Sequence, residues 1–308
     1  MRRGFGPSVS LGSLCVSHFE AVGFAVGDYE EQKALIETAF ERAVESGDVV
    51  RHPDGLSATY RDPSGALFTI HKNLDGGFHC GKPGFESRSR ARWRPVHVVR
   101  DRECAFCDLV YAELLDDDEM VYPFLLSVET IGAERALIPY DEPGEVRFAG
   151  LWEEGEVWAD EETFDRAQTS QWADVKVPEA IQDEIPAFGG FSSRSVISSG
   201  TFGVDGPQTS HVIAHGIVDS VEERRNELGR APFLVVRLDT SGGIFDTCLA
   251  PGTLDHDELL APGAVARATL WLVGRPLTLR DQPGAVPAVE AEGQTKRGGL
   301  LRRAFRRR

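Results

Sequence analysis

Histidines and cysteines at short spacings are the residues of this chain best suited to binding metal or moving protons. His211 and His215 stand four apart, but in a stretch that reads as β-strand, where that spacing puts both rings on one face and does not make a helical metal clamp. No third ligand accompanies them in sequence. Cys104-Ala105-Phe106-Cys107 has the spacing of half a zinc site, which His79-Cys80 would complete, yet no second CxxC exists and the simpler reading is two thiols buried in a core element. His71, at the end of the apolar run Ala66 to Ile70, is the one candidate ligand or metal residue carried forward. There is no GxGxxG, Walker A, GxSxG, HExxH or kinase-like signature, which removes the best-marked nucleotide, hydrolase and zinc-protease classes.

Charge supplies two further candidates. Arg88, Arg90, Arg92 and Arg94 alternate with Ser89, Ala91 and Trp93, so a strand would place four guanidinium groups on one face. Such a face either binds an anion or acidic partner or is paired with acids of the protein itself. The tail carries Lys296, Arg297, Arg302, Arg303, Arg306, Arg307 and Arg308 around Leu300, Leu301 and Phe305. It reads as a solubilising end, or as an arm that docks on an acidic protein, anionic lipid or nucleic acid. The acidic run Asp116-Asp117-Asp118-Glu119 lacks the spacing and central glycine of a calcium loop and is expected to be a solvated turn.

The elements that would position these residues are clearest near the start. Asp28 and Glu31 form a capping-box opening, Gly47 a stop, and Leu35, Ile36, Ala39, Phe40, Ala43 and Val44 one apolar stripe, which together predict a helix over 28–46. An apolar strand over 19–26 precedes it, and strands 56–61 and 66–71 follow as a hairpin across the turn Asp62-Pro63-Ser64-Gly65, with a further strand near Phe78. This βαβββ order, with Asp28 opening the helix and the DPSG turn, resembles half of a vicinal oxygen chelate domain, the fold of glyoxalases and bleomycin-resistance proteins. The resemblance implies metal ligands at the positions of Ala21 and Thr69, neither of which binds metal as that family's His or Glu does; His18 and His71 stand near them, out of register. Residues 88–140 are long enough for a second copy of the module, without evident internal identity.

Beyond residue 140 the composition changes. Acids accompany Trp152, Trp158 and Trp172, and the Gly- and Ser-rich stretch 188–193 follows, which suggests a connector over 141–200. From 201 to 282, strands over 212–221, 233–238, 244–249 and 264–273, with a break at Leu259-Leu260, resemble a small OB-like barrel in element order. The expected layout is therefore an α+β protein: a leader over 1–14, an α+β domain over 15–140, the connector, an all-β domain over 201–282, and a linker with basic tail over 283–308.

With 308 residues, 41% of them hydrophobic, the chain can bury a large core. A formal net charge of −16 repels nucleic-acid phosphates from the body of the protein, and no apolar run is long enough to span a bilayer as a helix. The twin arginine Arg2-Arg3 lacks a following apolar region, and the odd count of five cysteines fits a reducing compartment, so a cytoplasmic location is expected. The empty ligand positions and missing catalytic motifs favour a non-catalytic protein that binds a protein partner or small molecule, without metal or other cofactor. The alternative is a lyase, isomerase or dioxygenase of the vicinal-oxygen-chelate type, using a cleft in the α+β region.

Overall fold

Capping chemistry fixes the longest helix. In the computed structural model, which describes residues 16–25, 27–100, 106, 108–117, 119–129, 131, 138–172, 191–201 and 208–277, the first helix is the short α1 (Val16–Glu20) and the second is α2 (Tyr29–Ser46). The Asp28 carboxylate accepts from the backbone N–H groups of Glu30 and Glu31, while the Glu31 carboxylate accepts from the N–H of Asp28. Gly47 closes the helix at φ 78°, the left-handed conformation that a residue without Cβ adopts freely. Ile36, Ala39 and Ala43 form its buried face; Leu35 and Phe40 pack at the margin, and Val44 remains exposed.

Where a strand is expected over 19–26, the described residues 19–25 form none. α1 runs into a turn at Gly23 (φ 75°), and Phe24 makes only an isolated bridge to Arg230. The reason is packing on all sides: Phe19, Ala21, Val22 and Phe24 are all buried, where a half-buried strand would alternate. The hairpin expectations hold. β1 (Val49–His52), β2 (Gly55–Arg61), β3 (Ala66–Lys72) and β4 (Phe78–Phe85) form a four-stranded antiparallel sheet in sequence order, with α2 against β2 and β3.

The remaining strands form one nine-stranded sheet. They are β5 (Arg90–Val99), β6 (Leu109–Asp116), β7 (Glu119–Val128), β8 (Gly144–Trp158), β9 (Ser195–Ile197), β10 (His211–Arg225), β11 (Pro232–Thr240), β12 (Gly243–Leu249) and β13 (Val265–Pro276), in the order β11-β12-β8-β5-β6-β7-β13-β10-β9. Further pairings, β10 with β11 and β8 with β13, join strands distant in that order. A third helix, α3 (Glu161–Trp172), follows β8.

This sheet corrects two expectations. Residues 201–282 are not a separate closed OB-like barrel, because β13 pairs along most of its length with β8, from the supposed connector. The acids of 141–200 conceal an apolar strand: Val146, Phe148, Ala149, Leu151 and Trp152 are buried, and the Trp152 indole donates to Thr247 Oγ1 at 2.8 Å. The described residues up to Pro276 fall in one compact unit, not in two units that divide near 200. Its core includes Phe19, Phe24, Ala39 and Phe68 packed with Leu151, Phe233, Val235 and Val273 of the nine-stranded sheet.

Asp62, expected merely to initiate a turn, also cross-links the two sheets. Its buried carboxylate accepts from Tyr60 Oη (2.9 Å), from the N–H (3.0 Å) and hydroxyl (2.6 Å) of Ser64, and from the backbone N–H groups of Glu227 (3.0 Å) and Leu228 (3.3 Å). Burial pushes its pKa up, but those hydrogen bonds outweigh it and the net shift is downward. No helix among the described residues is long and apolar enough to cross a membrane. The leader, Cys104, Cys107, Asp118 and the basic tail, with Lys296, Arg297, Arg302, Arg303, Arg306, Arg307 and Arg308, lie outside the described residues.

Candidate metal centre

Trp271 on β13 is the floor of the candidate site. Its cross-strand neighbours are His211 on β10 and Leu151 on β8. Along β8 the pairing with β13 shifts by one residue: Thr269 faces Glu154 and Leu270 faces Trp152, which leaves Glu153 unopposed. Such a bulge re-aims a side chain that regular alternation would send elsewhere. The Glu153 carboxylate consequently meets His211, whose Nε2 lies 3.0 Å from Oε1. The third group comes from α1, where His18 stacks on Trp271 with ring centroids 4.2 Å apart and planes 7° apart, and places Nε2 at 2.6 Å from the same Oε1.

Two imidazole nitrogens and a carboxylate oxygen thus lie within 4.8 Å of one another. His18 is 5% exposed, whereas the side chains of Glu153 and His211 are each 27% exposed, so the cluster is held on one side and open on the other. The open side is a cavity of about 380 Å³. Lys82, Ser127, Ser210 and Leu109 also line it. Hydrogen bonds to Glu153, first from His18 and then from His211, hold its carboxyl at about 2 against the upward push of burial. It is therefore an anion at neutral pH, as a metal ligand must be.

His211 also has a supporting partner. Its Nδ1 lies 2.7 Å from Thr209 Oγ1, and a hydroxyl either donates or accepts. While Nε2–H donates to Glu153, Nδ1 accepts from Thr209; were Nε2 to hold a metal, Nδ1–H would donate to the same oxygen. A hydroxyl held against the far ring nitrogen in this way fixes ring orientation and tautomer. Neutral nitrogen and carboxylate donors in a two-histidine, one-carboxylate set suit first-row divalent ions, and three protein ligands leave coordination positions for solvent or substrate.

Of the residues singled out from sequence, His18 and His211 meet in this cluster and the others fall elsewhere. His71 is fully buried in β3, its Nδ1 2.8 Å from Ser57 Oγ and its ring stacked 4.5 Å from Phe106, outside this cavity. His52 and His79 touch the edge of the same Phe106 ring. Ala21 is buried, and Thr69 shares a 3.1 Å hydrogen bond with Thr59. Arg90 and Arg94 meet Glu145 (3.7 Å) and Glu113 (3.0 Å), while Arg92 is exposed on the same strand. Arg88 precedes β5 and gives its backbone N–H to Asp246. His211 belongs to the cluster, while His215, on the same strand, turns to Ser195 and Phe191. Sequence reasoning missed Glu153 altogether and placed His18 only as a misregistered family ligand. No family model, no curated protein and no solved structure matches this chain.

Proposed function

We propose that this protein binds one divalent transition-metal ion through His18 Nε2, His211 Nε2 and a Glu153 carboxylate oxygen, and uses it to hold an oxygen-bearing small molecule in the adjoining cavity. The observation that carries this reading is the convergence of the three ligand atoms at a β-bulge, within 4.8 Å of one another, on the wall of a metabolite-sized cavity. An ion held there supplies a Lewis acid that polarises bound oxygen. The chain's residues provide the rest: Trp271 orients His18, Thr209 supports His211, and the bulge presents Glu153. This favours an enzyme of the lyase, isomerase or dioxygenase type over a purely non-catalytic binding protein. It replaces the expectation of no metal, which rested on Ala21 and Thr69 at the family's ligand positions, on a CxxC without a second pair and on His211 and His215 without a third ligand. A cytoplasmic location remains part of the proposal.

Metal analysis of the full chain tests it. About one equivalent of zinc, iron, manganese or nickel per chain is expected after loading and desalting, falling below about 0.2 in His18→Ala, Glu153→Ala and His211→Ala while His71→Ala retains the ion. Failure to retain any of these ions, or retention unchanged by all three substitutions, overturns the reading.

A further inference from the structure

We infer that the cavity beside the His18–Glu153–His211 cluster takes a small organic anion whose carboxylate is held by the Lys82 ammonium; this rests on the proposed metal reading for its second anchor. Lys82 lies on β4 and is 6% exposed, yet among the described residues no carboxylate comes within ion-pairing distance of it. Among the described residues its Nζ donates to Ser127 Oγ and the Val128 carbonyl, both at a long 3.4 Å. A buried ammonium with two weak neutral acceptors is poorly compensated, and an incoming oxyanion supplies the missing partner. Ser210 gives an independent sign of the same kind. Its hydroxyl is buried on the cavity wall and has no hydrogen-bond partner among the described residues.

Charge on the cavity wall selects the class of ligand. Among the described residues that line it Glu153 is the only acid, and with a divalent ion bound beside neutral histidines that lining carries net positive charge, in a chain of formal net charge −16. Phe19, Leu109 and Trp271 give the same space apolar sides, which suits the carbon skeleton of a carboxylic acid better than a bare inorganic ion. The ligand is accordingly a small carboxylic acid with a carbon body, a carboxylate at Lys82 and Ser210, and an oxygen at the metal.

Calorimetric titration of the zinc-loaded full chain with pyruvate, succinate and benzoate, each against its uncharged amide, tests this. At least one acid is expected to bind about tenfold or more tighter than its amide, with the preference abolished in Lys82→Met while zinc content stays at one equivalent. Ser210→Ala, which removes one hydroxyl and leaves the packing intact, is expected to weaken the same acid about threefold or more. Amides binding as well as acids, no acid binding at millimolar concentration, or a preference that survives Lys82→Met overturns the inference. The two proposals fail separately. Zinc bound without acid preference leaves the metal reading standing alone; a Lys82-dependent acid preference in protein that holds no zinc leaves the anion site standing alone.

Discussion

Lowering the pH from 6.5 to 4 is expected to cost this fold about 3 kcal/mol through one side chain, His215. The ring is 1% exposed, stacked on Phe191 (5.4 Å, 19°) and set edgewise to Phe164 (5.6 Å). Nδ1 lies 2.9 Å from Ser195 Oγ, and Nε2 has no hydrogen-bond partner among the described residues. Burial first, then the charge of Arg267 opposite it on β13, push its pKa from 6.5 down to about 4. The native state therefore stays neutral over an interval in which the unfolded chain takes up a proton. Stability from this residue is fully present above pH 6.5 and is lost as pH falls toward 4, at about 1.4 kcal/mol per pH unit. Urea unfolding of wild type and His215→Gln between about pH 7.5 and 4.5 measures it, the variant having a lower but flatter profile. Parallel profiles for the two proteins would show that the buried ring is not the source of the acid sensitivity.

Glu153 acts in a lower window in the metal-free protein. Its carboxyl is held at about 2, so its contribution is present above about pH 4.5 and declines as pH falls from there, a decline that Glu153→Gln should remove from an acid titration followed by circular dichroism. Asp62→Ala strands the two backbone N–H groups it receives from Glu227 and Leu228 and should cost about 2–4 kcal/mol in urea unfolding; a loss below about 1 would mean the two sheets do not depend on it. Phe68→Ala, at a fully buried ring 5.0 Å from Phe19 and 5.4 Å from Phe24, should cost about 3–5 kcal/mol, whereas Phe40→Ala, at a half-buried ring beneath Lys72 Nζ at 3.5 Å, should cost about 1–2. Equal losses would contradict the placement of the two rings.

What could be read from the sequence was local. The capping box at Asp28 and the stop at Gly47 depend on neighbours within four residues, and the hairpins depend on turn chemistry, so α2, β2, β3 and the strands after 211 were all legible. β8 was not, because Glu153, Glu154 and Glu156 raise its polarity while its first half is buried. The site was harder still. A β-bulge depends on the partner strand, so nothing around Glu153 distinguishes it among 49 acidic residues, and His18 gains its meaning from Trp271 and Glu153. The one usable signal was His211 beside His215 on a strand face, and it lacked a partner to point to.

The three residues of the candidate metal centre are spread widely along the chain. His18 and Glu153 are separated by 135 residues, and Glu153 and His211 by a further 58, so the cluster exists only once distant parts of the chain have met. α1, five residues long, is too short to persist as an isolated helix, and it brings His18. An ion bound at this cluster would thus act as a late fastener, tethering the beginning of the fold to strands made much later. A metal-starved cell should accumulate chains whose segment around α1 opens first and is the first to be cut by proteases, while the rest of the sheet stays closed.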